Sequence, residues 1–101
     1  MTTIFSLTAQ DTLASMLAKL RAASTGRVLL VVPADLALDA VSLRVLRREA
    51  NLAHLDLALV TADPNLRAAA GREGISTFRD AVYAEGARWH RLRRERRLGL
   101  R

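Results

Sequence analysis

Val28-Leu29-Leu30-Val31-Val32, closed by Pro33, decides the fold. Five consecutive apolar residues read as a strand covered on both faces, because a strand of a one-sided sheet alternates apolar with polar. Working outward, Ala34 to Leu38 reads as a loop, and Asp39 is placed to cap a helix running to about Ala53. Leu43, Leu46, Ala50 and Ala53 form its inward stripe, while Arg44, Arg47, Arg48 and Asn51 point outward. A second apolar strand follows at Leu55-Asp56-Leu57-Ala58-Leu59-Val60. Asp63 then caps and Pro64 opens an Ala-rich helix to Glu73, which buries Leu66, Ala69 and Ala70 and stops at Gly74. Ile75-Ser76-Thr77-Phe78 is the last strand, and Asp80 caps a short helix through Val82 and Tyr83.

Upstream, Thr3-Ile4-Phe5-Ser6-Leu7 reads as a strand. Thr8 and Asp11, three apart, resemble a capping box ahead of Leu13, Met16, Leu17 and Leu20, which share one helix face. Lys19 and Arg21 suit the end of that helix, and Ser24-Thr25-Gly26 stops it with Gly26 as a left-handed cap. The order β-α-β-α-β-α-β-α predicts a three-layer Rossmann-like or flavodoxin-like α/β sandwich around a four-stranded, mostly parallel sheet. Strand orders 2-1-3-4 and 3-2-1-4 both fit this pattern.

The chain has 101 residues, a formal net charge of +6, no cysteine, and an apolar half that excludes wholesale disorder. Its length matches one domain. Disulfides, thiolate metal sites and cysteine nucleophiles are excluded, and the amino end lacks a secretory signal's basic region. No apolar run approaches the roughly 18 residues of a membrane span. Residues 1–86 hold nine bases and nine acids, whereas residues 87–101 hold seven arginines and one acid, Glu95. The division is therefore a neutral α/β domain over 1–86 and an Arg-rich tail over 87–101.

Ligands of open parallel sheets bind at the carboxyl ends of the strands. The first such loop, Thr8-Ala9-Gln10-Asp11, contains no glycine, so no G-x-G-x-x-G phosphate cradle exists there, and no Walker-type loop occurs elsewhere. No nucleotide cofactor is therefore expected. Asp35, Asp39 and Asp63 could converge on a hard cation, although capping already accounts for Asp39 and Asp63. His54 and His90 stand far apart with no adjacent nucleophile, and no serine lies in a G-x-S-x-G elbow. The reading is non-enzymatic. Phe5, Phe78 and Tyr83 are expected in the core, and Asp56 at the exposed amino edge of the sheet.

Arg88, Trp89, Arg91, Arg93, Arg94, Arg96 and Arg97 are the candidate contact residues of the tail. On an anionic membrane surface each base contributes about 1 kcal/mol, and Trp89 suits the headgroup region. The same arginines would neutralise nucleic-acid phosphates without reading sequence. The plain structural alternative packs Trp89 and Leu92 back on the sandwich. Nucleic acid is the weaker partner, because one interleaved aromatic gives little stacking and the body has no basic face. The Ala-rich third helix could also meet a second copy of the chain, though it equally suits a thin layer over a sheet.

Arg27-Val28-Leu29-Leu30-Val31-Val32-Pro33, Leu43-Arg44-Val45-Leu46-Arg47-Arg48-Glu49-Ala50, Leu57-Ala58-Leu59-Val60-Thr61-Ala62-Asp63-Pro64 and Gly74-Ile75-Ser76-Thr77-Phe78 carry a resemblance. Together they resemble the small Rossmann-like domain near the amino end of uncharacterised bacterial membrane-anchored proteins, some with baseplate-J-like modules. The resemblance spans roughly residues 3–95 and rests on structural motifs. It implies a cytoplasmic domain at the inner face of the membrane, followed by a basic segment and often by membrane helices. It supplies no catalytic residue. Two departures, the acidic and apolar loop Ala34–Ala40 and Ser76 where the pattern has Pro, mean that a family ligand need not bind here.

Overall fold

The computed structural model describes residues 2–23, 26–87 and 89, with Glu85 by its backbone alone. Eight elements alternate: β1 (Thr2–Ser6), α1 (Leu13–Ala22), β2 (Gly26–Val31), α2 (Ala40–Leu52), β3 (Leu55–Val60), α3 (Pro64–Arg72), β4 (Ser76–Phe78) and α4 (Ala81–Gly86). The four strands form one parallel sheet in the order β1-β2-β3-β4, with Ile4 beside Leu29, Leu29 beside Ala58, and Val60 beside Phe78. This is the α/β class expected, a small Rossmann-like or flavodoxin-like fold. The strand order is neither of the two that fitted the sequence pattern.

That order shapes the molecule. Right-handed crossovers that never reverse direction place every crossover helix on the same face. Met16 and Leu20 of α1, Leu43, Leu46 and Ala50 of α2, and Leu66 and Ala70 of α3 accordingly share one core with Val28, Leu30, Leu55, Leu57 and Leu59. The residues that alternate with these along the strands, Leu29, Ala58, Val60 and Phe78, face the other way, where among the described residues α4 and Trp89 cover them. The layers are therefore unequal, three helices against one. Among the described residues no helix covers the second face towards the β1 edge, where Ile4 is 41% exposed.

Local chemistry sets the helix starts. The Asp39, Asp63 and Asp80 carboxylates accept from the backbone N–H of Ser42, Asn65 and Val82 at 2.8, 2.9 and 2.7 Å. Pro64 occupies the first turn of α3, where its missing N–H has no helical partner to lose. α1 starts later than Thr8 and Asp11 suggest: its cap is Thr12, in a reciprocal box with Ser15. Thr8 and Asp11 instead close the preceding turn, the Thr8 N–H donating to Asp11 at 2.8 Å. Gly26 does take a positive φ of 101°, but it opens β2 and does not cap the helix, while Ser24 and Thr25 lie outside the described residues. His54 takes the left-handed conformation between α2 and β3, at a φ of 59° that L-residues other than Asn and Asp rarely adopt.

Ion pairs tie the three-helix layer together across its outside. Arg21 of α1 reaches Glu49 of α2, and Arg44 and Arg47 of α2 converge on Glu73 after α3, each at 3.3 Å.

Candidate functional site

Among the described residues, three clefts lie along the carboxyl edge of the strands. The first, of about 410 Å³, lies between the loops after β2 and β3, with Pro33, Leu36, Thr61 and Leu66 on its walls. It adjoins a second of about 310 Å³ that Asp35, Asp39, Asp63 and Asn65 reach. Although the three aspartates approach one cleft, they do not converge. The carboxylates of Asp39 and Asp63 are turned to the helix starts they cap, and the Asp63 N–H donates to the Thr61 hydroxyl at 3.1 Å. Asp35 is an exposed loop residue. Among the described residues no group of three or more His, Asp or Glu is placed to hold a metal ion.

The edge above β1 is closed by side chains. Asp11 accepts from the Ser15 hydroxyl at 2.7 Å and from the Thr8 N–H, and lies 3.6 Å from Lys19. The Ser15 hydrogen bond, then that from Thr8, then the charge of Lys19 hold its carboxyl below the ordinary range. Asp39 is held low too, chiefly by the Ser42 N–H. Both shifts belong to turns and caps.

The third cleft, of about 350 Å³, sits at the end of β4, with Arg67 of α3, Thr77, Phe78, Arg79, Asp80 and Tyr83 around it. Phe78 and Tyr83 meet edge to face, their ring centroids 5.9 Å apart. Tyr83 is 69% exposed, which corrects its assignment to the core. Ala81 and Ala84 take the sheet side of α4 instead, leaving Tyr83 and Val82 outward. The cause is length: a helix of 6 residues needs only its small residues to seat on the sheet.

Trp89 stands inside the fold. It is 8% exposed and its indole N–H donates to the Ala84 carbonyl at 2.8 Å. The Arg27 guanidinium lies over the ring, 4.1 Å from its centroid, and donates to the Ala87 carbonyl at 3.0 Å. Residues 87 and 89, which the charge count places in the tail, are thus held on the body. Arg88, Arg91, Arg93, Arg94, Arg96 and Arg97 lie outside the described residues. Among the described residues no helix is long and apolar enough to cross a membrane.

No protein-family model, curated protein or solved structure matches the chain.

Proposed function

We propose that the chain is a non-enzymatic α/β module that binds the anionic inner surface of a membrane through its Arg-rich end. One observation carries this reading. The body has as many acids as bases and engages Lys19, Arg21, Arg44 and Arg47 in ion pairs, whereas the whole excess of charge follows Gly86. Trp89 supports it in a role other than the one its sequence context suggests. As an anchor clamped by Arg27 and Ala84, it fixes the point on the second sheet face from which the arginines depart. A fixed origin raises the chance that many weak charge contacts form together.

A membrane is favoured over a nucleic acid because the one aromatic among the arginines is buried. The test is co-sedimentation of the full chain with vesicles of phosphatidylcholine alone and of phosphatidylcholine with phosphatidylserine. Binding is expected only to the anionic vesicles and weakens as salt shortens the Debye length below about 10 Å. The variant R91Q/R93Q/R94Q/R96Q/R97Q, which keeps Arg88 and Trp89, loses that binding. A full chain that stays in the supernatant with anionic vesicles overturns the proposal. Tighter binding to duplex DNA than to those vesicles at equal salt assigns the arginines to nucleic acid instead.

A further inference from the structure

The surface around α4 combines features that the fold does not require. Val82 and Tyr83 are 81% and 69% exposed on the outward side of a helix whose inward side is two alanines. Beside them the cleft at the end of β4 brings two guanidinium-bearing residues, Arg67 and Arg79, to one wall system with the Thr77 hydroxyl. Neither arginine forms an ion pair among the described residues, in contrast to Arg21, Arg44 and Arg47. Among the described residues lining the cleft, Asp80 is the one carboxylate, held as a cap by the Val82 N–H at 2.7 Å, and against two guanidiniums it leaves a net positive charge. The chain then runs directly from α4 through Ala87 to Trp89, where the Arg-rich segment begins.

We infer that this is the face the module lays on the bilayer: a lipid phosphate enters the cleft between Arg67 and Arg79, while Val82 and Tyr83 enter the headgroup region. Paired arginines suit a phosphate because the guanidinium presents planar, parallel N–H donors to its oxygens. Tyrosine suits the boundary because its ring is apolar and its hydroxyl stays wet. A charged cleft and a charged tail carried by one module can act on one surface at once. The inference rests on the membrane reading of the tail and adds a specific orientation to it.

The absence of cysteine makes the test direct. The full-length V82C variant carries one environment-sensitive fluorophore, and A18C, on the exposed side of α1, serves as the comparison. With phosphatidylcholine–phosphatidylserine vesicles, the dye at position 82 is expected to shift to the blue and that at 18 to keep its aqueous emission. R67Q/R79Q is expected to weaken partition by about fivefold for each arginine removed. Circular dichroism and the emission of buried Trp89 establish that the variants remain folded, and R79Q alone, at an exposed position, gives an independent reading. A chain that sediments with the vesicles while the dye at 82 stays in water, or while R67Q/R79Q binds as the parent does, overturns the orientation and leaves the tail reading standing. A chain that does not sediment overturns both.

Discussion

The two faces of the sheet are built from the same strands and treated very differently. On one face Val28, Leu30, Leu57 and Leu59 disappear under three helices, and ion pairs through Glu49 and Glu73 lace those helices together. On the other, Leu29, Ala58, Val60 and Phe78 have one short helix and one tryptophan. The difference teaches that strand order, more than strand composition, decides how a parallel sheet is covered. β2 and β3 are apolar on both faces, as a doubly covered sheet demands, yet an order without reversal sends all crossover helices to one side. The second face must be closed by whatever follows β4. Here that is α4 and Trp89.

Four substitutions break or sharpen this contrast. The largest effect is expected from L57A, in the middle of the three-helix face: truncating a fully buried leucine costs about 3–5 kcal/mol, measurable as a lower urea midpoint. W89A removes the main cover of the second face and is expected to cost about 3 kcal/mol, the low end for an aromatic truncation, because the ring sits at the rim of a thinner cluster. Circular dichroism must follow it, since the only tryptophan is gone. An equal or larger loss for W89A than for L57A would show that the second face is the tighter one. D63A removes the cap of α3 and is expected to cost about 1 kcal/mol. E73Q weakens the lacing of Arg44 and Arg47 and is expected to cost less than about 1 kcal/mol, an effect that high salt erases.

Acid sharpens the contrast on the helix side alone. Asp11 and Asp39 have carboxyls held low in the folded chain, so the unfolded chain binds protons first as pH falls. Their contribution is complete above the ordinary carboxyl value of about 3.9 and is lost as pH drops through the lower folded values. D11N and D39N are each expected to flatten that part of a stability profile measured between neutral pH and acid. No such change is expected from W89F, which touches neither carboxylate.

Features set by near neighbours were legible in the sequence. Asp39, Asp63, Pro64 and Asp80 mark their helices because a cap needs only a side chain and an N–H two or three residues on. Gly74 ends the α3 turn at a φ of 78° for an equally local reason. The cap of α1 was misplaced because Thr8–Asp11 and Thr12–Ser15 offer the same spacing, and only the helix axis distinguishes them. Strand order was not legible, since the apolar pattern of each strand is satisfied by either neighbour. Tyr83 was misplaced because so short a helix shows no period. Trp89 was read among arginines, its sequence neighbours, while the group that covers its ring, Arg27, comes 62 positions earlier in the chain. The cleft at β4 is not visible in the sequence for the same reason: Arg67 and Arg79 belong to different elements.

The strand order also bears on how the chain acquires its structure. Because β2 pairs with β1, β3 with β2 and β4 with β3, each strand finds its partner in the one synthesised just before it. Loop closures are short and similar in length, which favours quick folding for a parallel sheet and lets assembly follow synthesis from the amino end. Trp89 arrives after all four strands and seals Leu29 of β2 and Ala58 of β3. The single indole is thus a clock for the final event, the moment at which the nascent module closes its second face.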